Sequence, residues 1–541
     1  MSVLAPSAAN SASGLLILNP VDDALARTAG LRSRLGEQIA LARPAQDWID
    51  IEAPFTGQTI GRLPRGREED VEAAVAAARA AQPGWAQVPV GQRAAILLKF
   101  HDLVLERQAE VLDLIQLENG KARTHAFEEV LDTAMNARYY AHTGAKYLAT
   151  KRRHGALPFF TSVWELQHPR GVVGVMSPWN YPLALGINDA IPALMAGNAV
   201  VTKPDEQTPF ATLWAADLLV EAGLPSDVLQ IVSGIGAELG DMITSRVDFV
   251  MFTGSTAVGR HVAQLAASRL IEYSMELGGK NAMIVLADAD IEKTVSRGIR
   301  ACFSNTGQLC ISMERMYVHE AVYDEFVARF VSATEALTLG TTFDFDSDIG
   351  SLISAKQLAT VEEHVSDAVN KGARVLAGGR ARPDIGPYFF EPTLLEGVTA
   401  DMIVFRTETF GPLVSIYKFS DEAAAIEAAN DSEYGLNFSL WTSDTARGRR
   451  IAAELEAGTV CINEGYASGW GSTDAPMGGF KNSGTGRRHG EHGITKYCES
   501  QAISVQRVIP LSAPPGLPGD KYAAVMTTAL SVLKRLPGVR W

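Results

Sequence analysis

The sequence predicts a two-domain α/β protein, on three observations. Short, nearly all-apolar runs recur along the chain, each bounded by Gly, Pro or polar turns, and such runs read as strands buried in parallel sheets. Helical stretches follow them, which is the alternation of an α/β layer fold. The runs fall into two sets, the second of which follows Cys310. A length of 541 residues accommodates this, since at roughly 100–200 residues per domain it allows two to four.

Taken in order, residues 1–40 are rich in Ala, Ser and Leu and read as an N-terminal extension. They carry no basic n-region, and the apolar stretch Leu15–Leu18 is too short for a signal sequence. Asp70–Ala81 predicts a helix whose acidic first turn suits the positive end of the dipole. Thr161–His168 alternates in polarity as a strand does. Gly171–Met176, Ala199–Thr202, Phe249–Phe252 and Ala282–Leu286 are the first set of strands. Met316–Val318, Ala373–Leu376, Leu413–Tyr417 and Thr459–Ile462 are the second. Pro510–Pro518 is a Pro/Gly-rich linker. After it, Tyr522–Leu536 predicts a helix with a long apolar side, followed by Arg540 and Trp541. That helix is read as docked on a neighbouring subunit or its own body, or as a peripheral membrane foot. No run of about 18 apolar residues occurs, so no membrane span is expected.

Composition narrows the class further. With 47% hydrophobic and 20% charged residues, wholesale disorder is excluded. A net charge of −14 makes nucleic acid a poor partner, because phosphate binding needs a basic surface. The four cysteines, Cys302, Cys310, Cys461 and Cys498, form no CxxC pair, so neither a metal site nor a disulfide scaffold is expected. Scarce, scattered cysteines fit a reducing, cytoplasmic setting, with membrane association through residues 522–541 left open by the tail.

Several segments carry chemistry. Gly254-Ser-Thr-Ala-Val-Gly259 joins a strand to a helix, and free N–H groups at a helix start suit a pyrophosphate; taken alone it is only a Gly-rich turn. Gly234-Ile-Gly-Ala-Glu-Leu-Gly240 misses the dinucleotide fingerprint by one residue and reads as a loop beside a cofactor. Lys203 and Glu206 sit just past a buried strand, where open α/β sheets bind ligands, though they also fit a solvated loop. Cys310 lies in the polar stretch Asn305–Ser312, and a catalytic thiol needs a nearby base. Glu276, bracketed by Met275, Leu277 and two glycines, is a candidate whose burial would raise its pKa towards general-base range. Two prolines fix the backbone around Trp179 and Asn180, and a rigid Asn amide is a good oxyanion donor. Glu408 and Phe410 are pinned in the same way by Gly411-Pro412.

The joint order of these segments, with Pro476–Gly484, resembles the aldehyde dehydrogenase superfamily over about residues 45–505, and the interval from Glu276 to Cys310 is that of its hydrolytic members. The resemblance implies an aldehyde dehydrogenase-like fold with a Rossmann-type cofactor domain, an α/β catalytic domain and a bridging β-hairpin. Residues 41–150 and 171–275 would form the first domain, 276–487 the second, 151–170 and 488–510 the oligomerisation element, and 511–541 a C-terminal extension. It further implies Cys310 as nucleophile, Glu276 as base and Asn180 as oxyanion donor. Trp179, Lys203, Glu206, Gly254, Ser255, Glu408 and Phe410 would hold NAD or NADP. Tyr181, Leu185, Leu309, Ile311 and Met477 would wall the pocket for a small aldehyde. A homodimer or homotetramer is implied as well.

Arg300–Arg315, Lys371–Arg374, Ala381–Pro387 and Gly486–Gly490 are similar to one subgroup of bacterial succinate-semialdehyde dehydrogenases, often NADP-dependent. Members of that subgroup carry Ser where this chain has Glu206, so NAD is the expected preference. A second cysteine beside the nucleophile, common in succinate-semialdehyde enzymes, is absent, since Leu309 and Ile311 flank Cys310. A cation for a substrate carboxylate is required, and Arg315 is its unassigned candidate. The apolar pocket residues keep aliphatic, lipid-derived and aromatic aldehydes open. Among rivals, a CoA-acylating enzyme generally lacks the base that Glu276 supplies. A non-enzymatic member has little reason to keep Cys310, Glu276 and Asn180 together. A zinc alcohol dehydrogenase lacks its ligand cluster, with His489 and His492 a stray pair on a loop.

Overall fold

The computed structural model describes residues 20–155, 161–507 and 512–535. Two sheets organise it. The first has six strands in the order Gly484–Thr485, Glu272–Glu276, Phe249–Thr253, Val172–Met176, Ala199–Lys203 and Leu229–Ile231. The last five run parallel, and Gly484–Thr485 lies antiparallel at the edge. Val172–Met176, Ala199–Lys203 and Phe249–Thr253 are buried at every position, as their apolar runs require, with the polar Thr202, Lys203 and Thr253 buried at two of the strand ends.

The second sheet has seven strands in the order Arg374–Ala377, Thr393–Glu396, Leu413–Phe419, Met313–His319, Asn281–Val285, Asn437–Trp441 and Thr459–Ile462. All pair in parallel except Arg374–Ala377, which is an antiparallel edge strand with two exposed positions. Its reading as one of the buried parallel strands is corrected here: an edge needs only one covered face. The Ala282 run, grouped with the first set by its place in the chain, pairs with Met313–His319 and so belongs to the second sheet.

Gly236–Thr244 is a helix, preceded by the short strand Leu229–Ile231. The loop expected over Gly234–Gly240 is therefore a strand–turn–helix connection with Gly236 at the first helical position. Asp70–Ala81 lies within a longer helix, Glu68–Gln87, that continues through Pro83.

The ends of the chain differ in packing. Helix Pro20–Gly36 buries Val21, Ala24 and Leu35 in the core of the first sheet, so residues 20–36 pack as part of that layer. Strand Cys498–Gln506 pairs antiparallel with Thr161–Pro169, which also pairs with Lys151–Arg153, forming a separate three-stranded sheet. Helix Gly519–Leu533 follows, with no buried residue. It begins before the expected Tyr522, while Leu15–Leu18, Arg540 and Trp541 lie outside the described residues. Among the described residues, no helix is long and apolar enough to cross a membrane.

Candidate active site

The chain first crosses from one sheet to the other at a short segment. Strand Glu272–Glu276 ends the first sheet's run, Leu277–Lys280 bridges, and Asn281–Val285 begins in the second. Glu276 therefore sits where the two layers meet. Its side chain is buried, and Oε1 has no hydrogen-bond partner among the described residues. Burial pushes its carboxyl up to about 7, opposed by the Arg488 and Lys496 charges. The second sheet contributes Cys310, in the turn just before strand Met313–His319.

That turn is held from several sides. Asn305 and Thr306 adopt positive φ angles of 49° and 57°, and Gly307 follows at 70°. A Cβ on Gly307 would stand 2.1 Å from the Gly411 carbonyl, so only glycine fits. Gln308 receives the Ile353 N–H on its amide oxygen at 2.9 Å and donates to the Asn305 carbonyl at 3.1 Å. Asn281 Nδ2 donates to the carbonyls of Cys310 and Ser312, both at 2.8 Å. Burial pushes the Cys310 thiol up to about 12, and the Arg488 charge opposes that rise. The other three cysteines are buried and free.

Asn180 belongs to the rigid Ser177–Pro182 turn and is buried. One of its amide N–H groups donates to the Gln308 carbonyl at 3.0 Å, which aims the side chain at the cysteine turn and leaves its second N–H for another acceptor. Its backbone carbonyl accepts from Lys121 Nζ at 2.7 Å and Asn305 Nδ2 at 2.9 Å. Lys121 is itself paired with Glu129 at 2.6 Å, both side chains fully buried.

Three connected spaces surround these groups. Trp179, Asn180, Glu276, Cys310, Glu408 and Phe410 border a cleft of about 690 Å³. Gly254 and Ser255 border both that cleft and a wider trough of about 1400 Å³. The trough's far end holds Lys203 and Glu206, joined at 2.8 Å, and Gly236, whose N–H donates to Glu206 Oε2 at 3.3 Å. Ser255 caps helix Thr256–Ser268, leaving that helix's first N–H groups facing the trough end. In the cleft, Trp179 and Phe410 meet edge to face at 5.4 Å. Glu408 accepts from the Gly279 N–H at 2.8 Å, and burial pushes its carboxyl up to about 8. The buried Glu314 receives the N–H groups of Thr409 and Phe410 at 3.0 and 2.9 Å, and Lys280 neutralises it.

On the other side of Cys310 lies a third space of about 730 Å³. Tyr181, Leu185, Leu309, Ile311 and Met477 all border it and pack as one apolar cluster with Tyr466 and Trp470. Cys310 and Leu185 border this space and the cleft alike, so the thiol stands at the junction.

Sequence reasoning missed the cations here. Arg488 lies in the same space, donating to Asp189 at 2.6 Å and to Thr253 Oγ1 at 2.6 Å, while Lys496 stands 3.7 Å from Asp189. The Gly486–Gly490 segment was visible as a motif, but its nearness to Glu276 is a tertiary fact. Arg315 is elsewhere: it is buried and donates to the carbonyls of Lys280, Ala428 and Ala429. His489 lies in the loop expected for it but is buried there, just before helix Gly490–Thr495, while His492 falls inside that helix.

The sequence model described as the aldehyde dehydrogenase family matches residues 42–503. The chain is 54% identical over 488 residues to a Mycolicibacterium smegmatis protein named "Putative succinate-semialdehyde dehydrogenase (NADP+)", covering 90% of this chain and 94% of that one. It is 38% identical over 460 residues to the Escherichia coli succinate-semialdehyde dehydrogenase (NADP+) GabD, covering 84% and 94%. Among solved structures, the succinate-semialdehyde dehydrogenase from Burkholderia pseudomallei superposes with a TM-score of 0.83 at 35% identity, covering 86% of this chain and 97% of that one. The NAD+ complex of an aldehyde dehydrogenase from Bacillus cereus gives 0.81 at 34%, covering 85% and 93%.

Proposed function

The chain belongs to the aldehyde dehydrogenase family, and from that premise we propose how its own residues oxidise an aldehyde to the carboxylic acid. One observation carries the proposal: Cys310, the unpartnered buried carboxylate of Glu276 and the Asn180 amide border a single cleft. A thiol pushed up to about 12 holds little thiolate at neutral pH, whereas a carboxylate near 7 can take its proton. Glu276 accordingly accepts the Cys310 proton as sulfur bonds to the aldehyde carbon. The free N–H of Asn180 and the Cys310 backbone N–H donate to the oxygen that becomes negative. Glu276 releases the thiol proton to solvent, then takes one from the water that attacks the thioester and returns it to the Cys310 sulfur as the C–S bond breaks and the acid leaves.

The trough fits a nicotinamide dinucleotide by its donor set. Glu206 and Lys203 offer a carboxylate and an ammonium to ribose hydroxyls, and the helix start at Ser255 offers N–H groups to phosphate. Glu408 would receive the second ribose, with Phe410 and Trp179 packing beside its base. When bound, the dinucleotide supplies the acceptor for the hydride whose departure turns the cysteine adduct into a thioester. Glu206 supports NAD over NADP, because its carboxylate repels a 2′-phosphate, although the two relatives are named for NADP+.

Succinate semialdehyde is the substrate that the relatives' names support. A second reading, an aldehyde without a carboxylate, is favoured by the apolar wall and by Asp189 engaging both Arg488 and Lys496. The test is kcat/KM for succinate semialdehyde, hexanal, a long-chain aldehyde and benzaldehyde, each with NAD and NADP. A preference for succinate semialdehyde with NAD upholds the main reading, NADP used tenfold better overturns the cofactor preference, and a Cys310→Ala variant that still reduces NAD overturns the mechanism.

A further inference from the structure

One side of the space beyond Cys310 holds polar chemistry that the oxidation does not use. Asp132, Asn136 and Asn188 line that space, with 6%, 5% and 7% of their surface exposed. Asp132 and Asn136 are one turn apart on the same face of helix Arg123–Leu148. Asn188 Nδ2 donates to Asp132 Oδ2 at 2.8 Å, which fixes the Asn188 amide and brings its carbonyl oxygen close to Asp132. Each of the three residues keeps one oxygen, Oδ1, without a hydrogen-bond partner among the described residues. Buried acceptors are normally satisfied, so three lacking donors in one place point to a donor from outside the chain.

The charges around the space say which donor. Asp189 faces Arg488 and Lys496, Glu128 faces Arg300, and Glu129 faces Lys121. Glu276 lies in the field of Arg488 and Lys496. Asp132, like Glu276, makes no ion pair within the described residues; burial pushes its carboxyl up to about 7, opposed by the more distant Arg488 charge and by hydrogen bonds from the Trp470 and Asn188 side chains. His489 adds no charge at neutral pH, because burial holds its ring down to about 4.

We propose that Asp132, Asn136 and Asn188 form an ammonium subsite, and that the enzyme oxidises short ω-amino aldehydes as a further substrate class. An alkylammonium brings three N–H donors, one for each unpartnered oxygen, and one positive charge for the unmatched carboxylate. A carboxylate tail would bring only lone pairs to the same place. The inference rests on aldehyde oxidation at Cys310 and adds a class to succinate semialdehyde.

The test compares 3-aminopropanal with butanal, which has the same number of heavy atoms, and with 3-hydroxypropanal. The expected result is a kcat/KM for the amine at least tenfold above butanal, with the alcohol between them. Asp132→Asn is expected to lower the amine-to-butanal ratio at least tenfold. Equal values for amine and butanal, or an alcohol as good as the amine, would overturn the assignment. Calorimetric titration of the full chain with propylammonium and with propionate reads the subsite without catalysis. Propylammonium is expected to bind at least tenfold tighter, and tighter propionate would overturn the subsite. Propylammonium binding in a protein that oxidises no aldehyde would uphold the subsite and overturn the oxidation reading.

Discussion

At the residue scale, the proposed chemistry depends on two groups, Cys310 and Glu276, whose protonation is set by burial. In the proposed role of base Glu276 must be ionised, and burial pushes its carboxyl up to about 7. Activity should therefore fall as pH drops through 7 and rise towards a plateau above it. Glu276→Gln should lower kcat by about 10²–10⁴-fold and remove that limb, which a kcat/KM–pH profile checks. A limb that persists in the variant would assign it to another group. Most of these residues were legible in the sequence because they sit in rigid motifs: Asn180 between prolines, Glu276 before two glycines, Glu408 before Gly-Pro. Arg488, Asp189 and Lys496 were not, since nothing local marks a charged residue as buried. Only the packing of helix Gly490–Thr495 and its flanks near Glu276 does so.

At the element scale, buried carboxylates hold the starts of two helices. Glu129 accepts from the N–H groups of Leu183 and Ala184 at 2.8 and 3.0 Å, where the short helix after Asn180 begins. Glu118 does the same for Phe210 and Ala211 at 2.6 and 2.9 Å. Lys121 ties Glu129 to the Asn180 carbonyl. Lys121→Met should leave Glu129 as an uncompensated buried charge and cost about 3–5 kcal/mol in denaturant unfolding. It should also lower kcat by loosening Asn180. Stability within about 1 kcal/mol of the parent would show that Glu129 is held by its N–H donors alone. The apolar runs announced their strands through uniform burial, yet strand direction escaped them. Arg374–Ala377 is antiparallel because it pairs at an edge, which no periodicity records.

At the scale of the whole molecule, the proposed site lies where two sheets meet, and the termini stand in contrast to each other. Helix Pro20–Gly36 is packed into the first core, so Leu35→Ala should cost about 2–5 kcal/mol by the cavity it leaves. Helix Gly519–Leu533 buries nothing, so a chain ending at residue 511 should unfold within about 2 °C of the full one by calorimetry. A larger fall would mean that the helix is covered in an assembly. The sequence by itself determined the α/β class, the order of most buried strands, the family and the residue types that can attack, accept a proton and donate to an oxyanion. These are local properties, fixed by apolar runs and by glycine and proline. Tertiary structure alone decided that Cys310 opens onto two spaces, that Arg488 pairs with Asp189, and that three buried oxygens share one wall without donors among the described residues. The reason is physical: burial and charge pairing depend on which distant segments pack together, and a side chain's neighbours across two sheets leave no trace in its neighbours along the chain.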